Sequence, residues 1–166
     1  MSTRSGDLDP GLNYYLARTE GLDARAFNEM VNFHSGMLGI SETSSDMQDL
    51  LGLETKDARA AEAVSIFCYQ VKKWIGAFAA ALGGLDTLVF AGGIGENAPE
   101  VRARICDELQ FLGIELEQRQ NNARSAVISR SDSPVTVRVM HTDEQLMIAN
   151  SASSLLELSP IGKGRK

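Results

Sequence analysis

The segment Gly92-Gly93-Ile94-Gly95-Glu96-Asn97 combines residue types suited to holding an anion. Three glycines let the backbone bend sharply and approach a ligand closely. Peptide N–H groups, with a helix starting just beyond, then suit a phosphate. The spacing matches neither a dinucleotide-binding G-x-G-x-x-G turn nor a P-loop. The same residues also fit a plain strand-to-helix turn in which Asn97 caps the next helix and Glu100 completes a capping box. A second candidate is Thr142-Asp143-Glu144-Gln145, where a strand gives way to a helix. Carboxylates there could hold Mg2+, mostly through waters. Thr142 with Gln145 also reads as a capping box, and acids in a first helical turn are favourable anyway, so the residues alone favour the cap.

Two further clusters say less by themselves. Ser44-Ser45-Asp46-Met47-Gln48 reads as a helix cap. Arg4, with Asp7 and Asp9 nearby, is by itself a solvated arginine near a terminus. The two histidines, His34 and His141, have no ligand spacing, so a metal site built on them is not expected. Cys68 and Cys106 form no CxxC pair, which points to a reduced, cytoplasmic setting.

The elements that must position these residues follow from periodicity and breakers. Helices are expected over 9–20 and 23–34, the first opened by Asp9-Pro10. Residues 35–52 read as a Gly/Ser-rich loop with a helix restarting at Ser45 or Asp46. Val64, Phe67, Val71, Ile75, Phe78 and Leu82 mark the clearest helix, 57–82, stopped by Gly83-Gly84. Residues 87–91 form a short apolar run that suits a covered strand. A helix over 98–112, strands at 113–117 and 135–141 and a helix over 143–158 complete an α/β pattern. The first 85 residues offer no strand, so the sheet is thin and its first strand is expected to have an open edge.

Composition narrows the function. Apolar residues make up 43% and charged residues 23% of the 166-residue chain, as in one globular domain with a sizeable core. The net charge of −6 gives no general attraction to nucleic acid or an anionic membrane, so a phosphate must be held by local groups. No stretch is long and apolar enough to span a membrane, and the polar start is not a signal peptide.

Taken together and in order, several segments resemble the acetate kinase family, within the superfamily of sugar kinases and actin. They are Thr3-Arg4-Ser5-Gly6-Asp7-Leu8-Asp9-Pro10-Gly11, Ser35-Gly36-Met37-Leu38-Gly39, Ser44-Ser45-Asp46-Met47, Phe67-Cys68-Tyr69 with Lys72-Lys73, Leu88 through Asn97, Phe111-Leu112-Gly113, and Thr142-Asp143-Glu144 with Leu146-Met147-Ile148-Ala149. The resemblance implies an incomplete ribonuclease H-like, actin-like ATPase domain of α/β class, helix-rich with a small mixed sheet. Residues 1–158 would be part of a C-terminal domain and 159–166 a flexible tail. It implies Mg2+-dependent phosphoryl transfer between ATP and acetate, giving ADP and acetyl phosphate. Arg4 would be the catalytic arginine at the transferring phosphoryl group, whose equatorial oxygens a guanidinium fork can meet. Glu144 would position the metal. Gly92, Gly93, Ile94, Gly95 and Asn97 would line the phosphate and adenosine side, and Asp46, Met47 and Gln48 would lie beside adenine and ribose.

Two departures stand out. Gln48 occupies a position where the family commonly has Arg, and Gln145 replaces a common second acid. No segment matches the family's N-terminal half, with its Asn/Ser-rich phosphate loop, second arginine, aspartate and histidines. The chain is therefore expected to be inactive alone and to pair with that missing half or with a second copy, helix 57–82 contributing to the surface. A propionate or butyrate kinase fragment and a non-catalytic dimerisation or nucleotide-binding module are the alternative readings.

Overall fold

The structure, a computed structural model, describes residues 1–156. The elements are α1 (Gly11–Thr19), α2 (Ala24–Phe33), α3 (Gly36–Ser41), α4 (Met47–Leu53), α5 (Ala58–Leu82), β1 (Thr87–Phe90), α6 (Gly92–Asn97), α7 (Pro99–Cys106), a 3-10 turn (Gln110–Leu112), α8 (Gln118–Asn122), β2 (Thr136–Val139) and α9 (Glu144–Leu155). The end of the expected helix 143–158 and the expected tail 159–166 lie outside the described residues.

Helix α5 organises the core. Asp57 caps its start by accepting from Arg59 N (2.9 Å), and Gly83 ends it at φ +77°, a left-handed cap that glycine adopts without strain. Its buried face presents Ala60, Ala63, Val64 and Cys68. The two fully buried alanines let α3 and α4 approach, and Met37, Met47 and Leu50 fill the space above them. Val101, Ile105 and Cys106 of α7 pack on the same core with Phe90 and Val137 of the strands. Arg104 of α7 grips Glu54 with both nitrogens, Nη1 at 2.5 Å and Nη2 at 2.8 Å, tying α7 to the end of α4. Burial pushes the Cys106 thiol up to about 12, which makes it an inert packing residue.

Strands β1 and β2 run parallel, from Thr87 opposite Thr136 to Phe90 opposite Val139. Their crossover carries α6, α7 and α8, as a parallel pair requires. On the far side of β2 the described residues that precede it in the chain make only isolated antiparallel bridges, Val127 with Arg138 and Leu116 with Ser129. The outer edge of β1 has no partner among the described residues, matching the open edge expected from the sequence.

Three local expectations are corrected. Residues 35–52 are not mainly loop, because α3 and α4 lie within them; the restart at Asp46 is real. The helix expected over 98–112 ends at Cys106, because Asp107 leaves the helical region at ψ 137° and Glu108 follows at φ +62°, and Leu109 and Leu112 reach the core through the 3-10 turn instead. The strand expected at 113–117 shrinks to one bridge, because Glu117 caps α8 and turns the chain away.

Among the described residues no helix is long and apolar enough to cross a membrane.

Candidate functional site

Parallel strands deliver their carboxyl ends to the same rim, which is where ligands bind in open α/β sheets. Here β1 leads into Gly92 and β2 into His141, Thr142 and Asp143. Met140 N donates to Phe90 O (2.9 Å), so the pairing continues to the rim itself.

The glycine segment is a short helical turn rather than an open loop. Gly92 enters it at φ +71°. Gly95 lies where an added Cβ would be 3.2 Å from the Phe90 carbonyl carbon, so glycine lets the turn sit on the end of β1. Asn97 does not cap the next helix, and the expected box with Glu100 does not form: Ala98 is the N-cap, with Pro99 following. Asn97 belongs to the end of α6 instead, donating from Nδ2 to Gly93 O (3.0 Å) and accepting from Arg124 Nη1 at Oδ1 (3.3 Å).

The turn is fastened to the second loop by Glu96. Its Oε1 accepts from Gly92 N (3.0 Å), Thr142 N (3.0 Å) and Thr142 Oγ1 (2.9 Å), and its Oε2 lies 2.5 Å from His141 Nδ1. With its amide and hydroxyl engaged there, Thr142 does not cap α9, and the expected box with Gln145 is absent. Asp143 is the cap, accepting from Leu146 N (2.9 Å). The Glu96 side chain is 15% exposed and His141 84% exposed. The hydrogen bond from His141 and those from Thr142 hold the Glu96 carboxyl down at about 2, and Glu96 in turn raises His141.

The depressed carboxyl contributes stability that is present above its ordinary 4.5 and lost as pH falls toward 2. The raised imidazole contributes stability that is complete below its ordinary 6.5 and lost as pH climbs through its folded value. The pair should therefore hold the two loops best between those ordinary values. An NMR titration of the His141 ring is expected to give a pKa above the usual histidine value that falls back in Glu96→Gln. An unchanged titration in that variant would refute the pairing.

The other sequence candidates are placed as follows. Glu144 opens α9 directly after this loop; its carboxylate is exposed, with no hydrogen bond or ion pair among the described residues. Asp46 caps α4, its Oδ1 accepting from Gln48 N (2.7 Å) and Asp49 N (3.3 Å). The Met47 side chain is only 4% exposed and belongs to the core, while Gln48 is exposed. Arg4 is exposed on a segment held by α2 and α3: Ser35 N donates to Thr3 O (2.9 Å), Leu38 N to Ser2 O (3.0 Å) and Ser5 N to Val31 O (2.9 Å). Among the described residues no hydrogen bond joins Arg4 or Asp46–Gln48 to the glycine turn. The structure thus links Gly92–Asn97 to the start of α9 through Glu96 and Thr142, and makes no such link to the other two groups.

A cavity of about 610 Å3 lies elsewhere, between the first residues, α2, α3 and α5. Met30, Met37, Ile40, Phe67, Val71 and Trp74 line it, and it shares no residue with either loop. Its apolar walls do not suit a phosphate.

The donor set fits a magnesium ion that arrives with a nucleotide. Among the described residues no three His, Cys, Asp or Glu groups converge to hold a metal by themselves. Mg2+ keeps several waters and takes one or two carboxylates plus substrate phosphates, which a single free Glu144 beside the turn can satisfy.

Residues 1–150 match the family model described as the acetokinase family. An acetate kinase of Porphyromonas gingivalis strain W83 is 42% identical over 161 residues, covering 95% of this chain and 40% of that protein. The crystal structure of the P. gingivalis acetate kinase superposes with a TM-score of 0.86 over 94% of this chain and 40% of that one, at 42% identity. A propionate kinase from Francisella tularensis superposes at 0.83, with 35% identity, over 90% of this chain and 38% of that one. The expected fold class, an actin-like ATPase domain that is helix-rich with a small sheet, is thereby established. The chain spans about 40% of the length of the relatives it matches.

Proposed function

Because this chain belongs to the acetokinase family, we propose that it supplies the nucleotide- and magnesium-facing side of a carboxylate kinase that converts ATP and acetate to ADP and acetyl phosphate. What supports this reading is the Glu96 carboxylate, which accepts from both Gly92 N and Thr142 N (3.0 Å each) and so sets the glycine turn beside the start of α9. The turn's amides face the phosphates, with Asn97 at the adenosine side and Asp46–Gln48 beside adenine and ribose. Glu144 would hold a Mg2+ ion brought by the nucleotide, and that ion would supply charge neutralisation at the phosphate oxygens. Arg4 meets the equatorial oxygens of the transferring group. An acetate oxygen attacks the γ-phosphorus in line as the bond to the ADP oxygen breaks.

Positioning on one side of the phosphoryl group is not enough for this chemistry, which needs donors on both sides and exclusion of water. The isolated chain is therefore inactive and binds MgATP weakly. The reaction belongs in the cytoplasm, where the two buried free cysteines stay reduced. The test mixes this chain with the complementary portion of the P. gingivalis enzyme and traps acetyl phosphate as its hydroxamate. Turnover is expected from the mixture only and is lost in Arg4→Ala; a folded mixture without turnover contradicts the reading. Running acetate, propionate and butyrate side by side identifies the acyl substrate.

A surface on α5 favours self-association as a second role. Trp74 and Phe78 stack at 5.4 Å and, with Leu82, form an exposed apolar stripe at four-residue spacing. Light scattering should show a dimer that Phe78→Glu dissociates; a strict monomer excludes this role.

A further inference from the structure

Arg102 is the largest fully buried side chain of the described core, and it makes no ion pair among the described residues. All its acceptors are neutral. Nη1 donates to Gly95 O (2.7 Å) and Glu96 O (3.0 Å), Nε to Asn121 Oδ1 (2.8 Å) and Nη2 to Asn121 O (2.8 Å). Asn121 is itself fully buried and donates from Nδ2 to Pro99 O (2.8 Å). A buried cation without a carboxylate is costly, and a well-packed apolar residue would often be more stable. Burial, and next the charge of Arg124, push the Arg102 pKa down, although a guanidinium remains protonated.

The backbone explains why the cation is kept. A continuing α-helix would satisfy Gly95 O with the amide of residue 99, but Pro99 has none. It would satisfy Glu96 O with the amide of Glu100, but Ala98 leaves the helical region at φ −110°, ψ 83°. Two carbonyls at the end of α6 thus lose their intrahelical donors just where the glycine turn meets the interior. The Arg102 fork occupies that place.

We propose that Arg102 is a positioning residue of the site: its guanidinium replaces the backbone donors that Pro99 and the kink at Ala98 withhold, and so keeps the glycine turn wound and Glu96 aimed at Thr142. This rests on the reading of Gly92–Asn97 as the nucleotide turn. It predicts that Arg102, although fully buried, governs both the order of the turn and nucleotide affinity.

The test compares wild type, Arg102→Met and Arg102→Lys by amide hydrogen exchange and by calorimetry with MgADP. In Arg102→Met, exchange at Ala98 and Thr142 should rise about tenfold more than any rise within α5, because the loss is local rather than global. MgADP affinity should fall about tenfold, a loss of about 1.4 kcal/mol. Arg102→Lys, which keeps the charge and part of the donor set, should lie between the two on both measures. Equal rises in the turn and in α5, or an unchanged turn, would overturn the proposal and leave Arg102 an ordinary core residue. Should Arg102→Met fail to fold, the lysine variant decides by the same comparison. Should wild type not bind MgADP, the nucleotide reading of the turn fails, while the exchange data still decide what Arg102 does.

Discussion

Replacing Glu96 with alanine is expected to cut turnover of the reassembled enzyme about a hundredfold, the scale of loss that follows a displacement of about 1 Å at a reacting centre. The reason is geometric. One carboxylate receives Gly92 N, Thr142 N, Thr142 Oγ1 and the His141 ring, so removing it frees both loops together and leaves four polar groups without their acceptor. Amide exchange should rise at Gly92 and at Thr142 in the isolated chain, independently of any nucleotide. Glu96→Gln keeps an acceptor oxygen and loses the charge, so it should retain part of the turnover while losing the raised His141 titration. Full turnover in Glu96→Ala would show that the two loops hold their positions without this link.

Gly36→Ala is expected to destabilise the chain by about 3 kcal/mol, because it combines left-handed backbone strain with a steric clash. Gly36 sits at φ +62°, and an added Cβ would lie 2.6 Å from Met1 O, 2.8 Å from Arg4 O and 3.1 Å from Ser2 O. None of these is the far end of a flexible side chain; all three are carbonyls of the segment that carries Arg4. The melting temperature should fall by roughly 10 °C for a domain of this size. The damage should be local: exchange at Leu38 and Ser35, which donate to that segment, rises first, while the glycine turn is unaffected. Gly76→Ala is the control. Gly76 lies inside α5 with nothing within 4 Å of an added Cβ, so alanine there should stabilise by about 0.5–1 kcal/mol. A Gly36→Ala protein as stable as wild type would mean that the Arg4 segment is not clamped as described.

These two residues also show what can be read from the chain by itself. Helix α5 was legible because its signals are local: six apolar residues at helical spacing and a glycine stop. The placement of β1 was legible for the same reason, and the open edge beside it from the lack of any strand pattern in the first 85 residues. The cap at Thr142 was misread because its local pattern was complete and a distant partner outcompeted it, whereas the cap at Asn97, one of two open readings, is displaced by its neighbour Ala98. Thr142 has its hydroxyl on Glu96, 46 residues away, and no window of sequence contains both. Glu96 itself carried a faint signal, a charged residue inside a glycine turn with no core or capping task. Arg102 and Asn121 carried none, since an arginine and an asparagine at those positions read as surface residues until burial and the missing amide of Pro99 are seen together. The break after Cys106 was hidden because Leu109 and Leu112 continue the helical period while the backbone leaves it at Asp107 (ψ 137°) and Glu108 (φ +62°).

That the glycine turn and Glu144 face one nucleotide and its metal can be measured with MnADP in place of MgADP, following paramagnetic broadening of backbone amide signals. Signals of Gly93, Gly95, Asn97 and Glu144 should broaden together and with a single saturation curve, and the broadening at the start of α9 should weaken in Glu144→Gln. Broadening at only one of the two loops, or at neither while the metal–nucleotide complex binds elsewhere on the chain, would contradict it.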